Sequence, residues 1–406
     1  MPASHSYYAR IGASYHFEEE WLIFACNCLV VGADEISGKT ARERDQKMKS
    51  GIKMFRPFAI LILAIALLPS LTFAQYVRTD LTSNQSGVAP NTSEHLVNAW
   101  GLVQLQFAPS MASPFWISDN GSGFSTLYDG TGALQGLVVT IPPGPGATVG
   151  TPTGIVGNLT PNFEISGNHT SGPAVFIFAT LDGTIVGWNP NVDPIDSIGM
   201  STATIAANRS KFGATYTGLA IATNDKGETF LYAADDGPNR RIDMFDGQFN
   251  VKSFGDPNIP RNFTPYGIQN INNEIWVTYT ALNKAQGGFV DVFNLDGTLK
   301  KHFAAHGPLH SPWGLAQAPA DFGSMSSAIL ISNNTSRGRI NAFDPSSGEF
   351  LGALRDESGK AIEIDNVWGL QFGLDGGPAT AHNQLFFTAG PNNYANGLFG
   401  VITVGH

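Results

Sequence analysis

Cysteine is almost missing from this chain of 406 residues: there are two, Cys26 and Cys28, and both precede residue 75. One intervening residue is too short for the usual zinc-site spacing, and no second pair exists, so they read as incidental. The remaining 332 residues can form no disulfide, and a domain there must be held by its core alone. That length suffices to bury a large one. Basic runs are also missing. Residues 75–406 carry 15 Lys and Arg against 26 Asp and Glu, a formal net charge of −11, which excludes nucleic acid and anionic membrane surfaces as expected partners. An acidic, Asn-rich surface suits cations, sugars or another protein, and it keeps an exported chain soluble. Helical periodicity is nearly absent after residue 75. With 46 Gly, 24 Pro and short apolar runs, the composition points to an all-β fold.

No apolar run is long enough to span a bilayer. Phe58–Leu68 has 11 residues, against the ~20 a transmembrane helix needs. Lys47, Lys49, Lys53 and Arg56 precede or open this stretch, and Thr72-Phe73-Ala74 supplies small residues at the −3 and −1 positions before Gln75. Basic start, apolar middle and small-residue exit are expected of a secretory signal peptide over 48–74. The 47 residues ahead of it are read as an upstream extension, with translation starting at Met48 or Met54. The mature protein, 75–406, is expected to be secreted or periplasmic, monomeric, and without an integral membrane segment.

What is present is repetition. A cassette of aromatic, Gly and apolar pair recurs as Trp100-Gly101-Leu102, Tyr266-Gly267-Ile268, Trp313-Gly314-Leu315 and Trp368-Gly369-Leu370. Counting two weaker copies, the repeated glycines are Gly101, Gly154, Gly218, Gly267, Gly314 and Gly369. Their spacings of 47 to 64 residues fit four-stranded propeller blades of ~40–50 residues with some longer loops. Second strands are expected at Pro114–Ser118, Ala174–Thr180, Thr229–Ala233, Glu274–Thr278, Ala328–Ser332 and Gln384–Thr388. Third strands end on an aromatic followed by Asp or Asn: Tyr128-Asp129, Trp188-Asn189, Phe245-Asp246, Phe293-Asn294 and Phe343-Asp344, with turn-forming Gly or Pro close by. The last repeat is one strand short, while Gln75–Leu81 stands alone before the first. Pairing the two gives six blades of four, a closed six-bladed β-propeller with no open edge.

Several stretches, among them Leu96–Leu102, Ser113–Gly121, Ala174–Trp188, Ser311–Ala316, Gly338–Asp344 and Phe387–Asn392, resemble those of a family of exported bacterial six-bladed propeller proteins. The resemblance runs from about Tyr76 to the end and implies the propeller fold, with no activity attached. Leu231–Asp236 followed by Arg241–Asp246 is more loosely similar to an NHL-type repeat, a module mostly used as a binding platform.

In a propeller the run into each first strand and the turn after each second strand open on one face. This expectation brings Asn98, Asn366 and Asn333 together as candidate ligand-binding residues. It also brings Asp119, Asp235, Asp236 and Asn334 together as candidate oxygen ligands, for which calcium is the matching ion. The competing reading is that these Asp and Asn residues shape turns. Calcium-dependent six-bladed lactonases place a glutamate at the start of a first strand, where this chain has Asn98-Ala99-Trp100. His302, His306 and His310 are spaced as on a helix, but Gly307-Pro308 breaks any helix there. No Gly-x-Ser-x-Gly elbow occurs. Trp100, Tyr266, Trp313 and Trp368 are expected to pack between blades. The sequence therefore favours a binding scaffold for a protein or carbohydrate partner, with a calcium-assisted hydrolase or lactonase at the channel mouth as the alternative.

Overall fold

A computed structural model describes residues 75–282 and 287–405. The expected leader, the upstream extension and both cysteines lie outside these residues. Among the described residues the only helices are single 3₁₀ turns, Ser210–Phe212 and Gly323–Met325, and no helix is long and apolar enough to cross a membrane. Everything else regular is strand, arranged as six blades around an axis.

Blade one comprises Ala99–Val103, Phe115–Asp119, Phe124–Tyr128 and Leu134–Thr140. Blade two comprises Pro152–Gly157, Phe176–Thr180, Thr184–Trp188 and Thr204–Asn208. Blade three is Tyr216–Thr223, Thr229–Asp235, Arg241–Phe245 and Val251–Phe254. Blade four is Phe263–Ile271, Glu274–Ala281, Gly288–Phe293 and Leu299–Ala305. Blade five is Pro312–Gln317, Ile329–Asn333, Ile340–Phe343 and Phe350–Ala353. Blade six takes Val367–Phe372, Leu385–Ala389 and Leu398–Val404 from the end of the chain and Tyr76–Ser83 from its start. The strand Tyr76–Ser83 pairs antiparallel with Leu398–Val404, Tyr76 opposite Val404 and Ser83 opposite Leu398, so the ring closes as the unequal repeats require.

Third strands end on the aromatics Tyr128, Trp188, Phe245, Phe293 and Phe343. The Asp or Asn that follows turns the chain by accepting backbone N–H groups with its side chain. Asp246 Oδ1 takes the amides of Gln248 and Asn250, each at 2.9 Å, and Asp344 Oδ1 takes those of Ser346 and Ser347. These bonds from Ser347 and Ser346 hold the Asp344 carboxyl below its ordinary range. Outside the blade count lie two small hairpins, Gln106–Ala108 with Met111–Ala112 and Glu164–Gly167 with Thr170–Pro173, and two short strands added to blade edges. Asn91–Thr92 pairs parallel outside Tyr76–Ser83, and Met200–Thr202, from the long excursion in blade two, pairs parallel outside Leu134–Thr140 of blade one. Both cover edges that would otherwise be unpaired.

Apolar side chains are buried at each of the six seams between neighbouring blades, for example Trp116 with Phe176 between blades one and two, and Phe115 with Phe386 between blades one and six. Where neighbouring inner strands meet near the axis, by contrast, no side chain fits at the repeated glycine. A Cβ on Gly101 would strike the backbone at Thr153, on Gly154 that at Leu219, on Gly267 the carbonyl of Trp313, on Gly314 that of Trp368, and on Gly369 the Leu102 side chain and Trp100 carbonyl. Gly218 faces Tyr266 and Ile268 in the same way, with less overlap. The repeated glycine is thus the point where each inner strand touches the next.

Each repeat carries a bulge there. Trp100-Gly101 lies opposite Ser118 alone, Tyr266-Gly267 opposite Thr278, Trp313-Gly314 opposite Ser332, and Trp368-Gly369 opposite Thr388. A bulge frees backbone groups that need other partners. The Ser332 hydroxyl accepts from the Gly314 amide at 2.8 Å and donates to the Trp368 carbonyl of the next blade at 2.7 Å. Thr388 links Gly369 to the Trp100 carbonyl in the same way. Thr153 and Thr217 donate across their seams to Tyr216 and Tyr266. Ser332→Ala is therefore expected to leave a buried donor and acceptor unpaired and to cost about 1–3 kcal/mol. An unchanged thermal midpoint in that variant would show that the relay contributes nothing.

Candidate functional site

The aromatics of the repeat gather over the axis rather than between sheets. Trp100 stacks on Trp368 with centroids 3.6 Å apart and planes at 19°. Trp313 meets both edge-on at 6.0 and 5.7 Å, and Tyr266 lies 5.8 Å from Trp368. Leu181 and Tyr394 pack against this group. The bulge turns the ring of each cassette inward, which strand alternation alone would not reveal. Beneath the plug, the inner strands leave a space of only about 30 Å³ lined by the repeat glycines and their apolar neighbours, roughly one water. The axis is therefore no funnel for a sugar.

Around the plug sit several residues singled out from the sequence. Asn98 accepts the Trp368 indole N–H at 3.1 Å and donates to Asn120 at 3.1 Å. Asn366 donates to the Gly390 carbonyl at 3.2 Å. Asn334 accepts the Tyr394 hydroxyl at 2.8 Å and donates to the Val367 carbonyl. Asn98 and Asn366 adopt left-handed backbone, with φ of 48° and 49°, a conformation asparagine tolerates better than most residues. These three amides are buried and spent, those of Asn98 and Asn334 on holding the plug.

The carboxylates do not join them. Among the described residues, the only group of three or more acid, histidine or cysteine side chains close enough to share an ion excludes Asp119, Asp235 and Asp236. Asp119 is fully buried and accepts from Thr126 at 2.7 Å, while its Oδ1 has no partner. Asp235 accepts the amides of Thr215 and Gly237 at 2.8 and 2.9 Å, closing its own turn. Asp236 lies half-buried beside it. Burial pushes all three carboxyls up. For Asp119 the sign is clear: its contribution to stability is full below the ordinary carboxyl range and is lost as pH climbs through the raised value. Asp119→Asn should thus gain on the parent protein as pH rises from 4 to 8, read as a growing difference in thermal midpoint. A difference independent of pH would contradict the burial argument.

Asn333 points the other way, as strand alternation demands. It donates to the Pro308 carbonyl at 2.7 Å and accepts the His310 amide at 3.1 Å, in the wall of a cleft of about 780 Å³ on blade five. His310, Asn341, Phe350 and three arginines, Arg337, Arg339 and Arg355, also line it. Glu363 fastens Arg337 at 2.8 Å and Arg339 at 2.9 Å. The two arginines, Arg337 first, hold the Glu363 carboxyl down to about 2. One carboxylate against three guanidiniums leaves the cleft cationic on a strongly acidic chain. Each guanidinium retains donors beyond those used by Glu363. The sequence signal was the pair of closely spaced cations in Arg337-Gly338-Arg339, which lie on the turn leading into Ile340–Phe343; their neighbours Glu363 and Arg355 are visible only in the fold. The three spaced histidines part company: His310 lines this cleft, His306 packs on Phe263 and Phe289, and His302 lies on the outer strand of blade four.

No protein-family model matches the chain. Proteins of Acanthamoeba polyphaga mimivirus do, two of them over most of the chain. Uncharacterized protein R648 is 30% identical over 342 residues, covering 79% of this chain and 78% of that protein. Uncharacterized protein L690 is 31% identical over 337 residues, covering 79% and 83%. This chain belongs to their family. These relatives are viral, whereas the motifs had suggested exported bacterial proteins. Among solved structures, an inactive virginiamycin B lyase from Staphylococcus aureus with quinupristin is 10% identical, with a TM-score of 0.46 over 82% of this chain and 99% of the lyase.

Proposed function

We propose that this protein is an exported, non-catalytic propeller scaffold that binds an acidic oligosaccharide in the cleft of blade five. One observation carries the reading: Arg337, Arg339 and Arg355 share a cleft of about 780 Å³, a size typical of small-ligand sites, on a chain of net negative charge. Guanidinium groups match carboxylates in shape and charge. Half-exposed Phe350 offers an apolar ring face, and buried Asn341 braces the wall through the Pro308 carbonyl at 2.9 Å. Export rests on the basic, apolar and small-residue order of 48–74. It is tested by the N-terminus of the purified protein; an intact leader on cytoplasmic protein would reverse it.

The calcium-assisted hydrolase reading would need Asp119, Asp235, Asp236 and Asn334 around one ion, and their present commitments give it no support. Screening lactones and simple esters with and without calcium separates the two. The scaffold reading expects no turnover in either condition. Calcium-dependent turnover lost in Asp235→Ala would replace it.

A further inference from the structure

Blades three and four each bury an aspartate at the same place, two residues before the aromatic that ends the third strand. In blade three Asp243 is fully engaged. It accepts from Arg241 at 2.8 Å, Ser253 at 2.6 Å and the Tyr216 hydroxyl at 2.8 Å, with Arg209 at 3.9 Å. In blade four the matching Asp291 has no arginine. Its cross-strand partner is His302, and a second carboxylate, Asp256, arrives from the loop joining blades three and four. The His302 Nδ1 lies 2.9 Å from Asp291 and 3.6 Å from Asp256. Both carboxylate side chains are buried, at 1% and 0% exposure. One oxygen of each lacks a partner within ordinary hydrogen-bond distance, and the buried Tyr279 hydroxyl faces Asp291 as a donor. The ionisable groups facing one another here are Asp256, Asp291, His302 and Tyr279. Two buried acids with idle lone pairs and a single imidazole call for a cation.

We propose that Asp256, Asp291 and His302 bind one divalent transition-metal ion, with zinc the best match. Their donor atoms lie within 4.8 Å of one another. Ligands ~2.0–2.2 Å from a tetrahedral zinc stand about 3.3–3.6 Å apart, so small side-chain rotations suffice. Two carboxylates and an imidazole suit zinc, whereas calcium requires six to eight oxygens. His302 is 58% exposed, which gives the ion a path from solvent and leaves its fourth position to water. The signal was present in the sequence as an acid within the apolar run Val290-Asp291-Val292.

The test uses the full chain, stripped with chelator and then titrated with zinc alone. One zinc per chain is expected, with a rise in thermal midpoint that calcium does not reproduce. Cobalt(II) in its place should give the visible absorption of a tetrahedral site. His302→Ala, at an exposed position and so compatible with folding, should weaken zinc binding at least 100-fold, and Asp291→Asn should do the same. His382→Ala is the control: His382 lies on the surface between Asp321 and Asp375, 3.1 and 2.9 Å away, and its loss should leave the blade-four site unchanged. Zinc binding unaffected by His302→Ala, or abolished by His382→Ala, would overturn the assignment. So would the absence of any zinc binding in the parent protein, which would leave a carboxyl pair sharing a proton beside His302.

Discussion

Removing Tyr76–Ser83 should destabilise the whole propeller and not merely fray its last blade. This strand is the fourth strand of blade six, paired along its length with Leu398–Val404. It also reaches into blade five, where the buried Tyr76 hydroxyl donates to the Phe322 carbonyl at 2.9 Å and accepts the Met325 amide at 3.0 Å. Deletion removes the buried side chains of Tyr76 and Leu81, whose burial is worth ~1.5–3 kcal/mol each, and breaks a ladder of bonds worth ~0.5–1.5 kcal/mol apiece. It also leaves an unpaired edge on Leu398–Val404. A loss of at least ~5 kcal/mol should lower the midpoint by about 7 °C or more, in one transition. Without disulfides in residues 75–406, nothing covalent would hold the opened ring. A truncated chain with the parent midpoint would refute closure as a source of stability.

Gly267→Ala should be among the most damaging single methyl groups in the domain. The added Cβ would overlap the Trp313 carbonyl and press on the Thr278 hydroxyl. Backbone on the facing strand cannot rotate away, so the cost is about 3 kcal/mol or more, at or above the upper range of overpacking. Gly136→Ala is the matched control: it lies in the outer strand of blade one with nothing within 4 Å of its Cβ, and should stay within about 0.5 kcal/mol of the parent. Equal midpoints for the two variants would show that the axial contacts yield.

The contrast between those glycines explains what could be read from sequence. The repeat fixed blade number, strand order and closure, because each blade must restate the same close contact, backed by a hydroxyl opposite the bulge in blades one, four, five and six and within it, at Thr153 and Thr217, in blades two and three. Ser332 and Thr388 already stood at the ends of the expected second strands. The bulge itself was not legible, and with it went the placement of Trp100, Trp313 and Trp368, which were expected between sheets and lie over the axis. Asn98, Asn334 and Asn366 were expected as ligands, yet the amides of Asn98 and Asn334 hold the plug and that of Asn366 the Gly390 carbonyl, which only their hydrogen-bond partners disclose. The cleft escaped notice because Arg337, Arg339 and Arg355 acquire a shared purpose only when blade five folds. Asp256, in the loop entering blade four, and His302, on its outer strand, are 46 residues apart in the chain, a separation no local pattern records.

The functional claim is tested most directly by calorimetric titration of the full chain with a short oligogalacturonate, alongside its neutral galactose counterpart. The account predicts saturable binding of the acidic sugar in the cleft of blade five. That binding should weaken as salt is raised and fall at least 10-fold in Arg339→Ala, while the neutral sugar binds far less. Equal affinity for both sugars, or acidic binding untouched by Arg339→Ala, would contradict it.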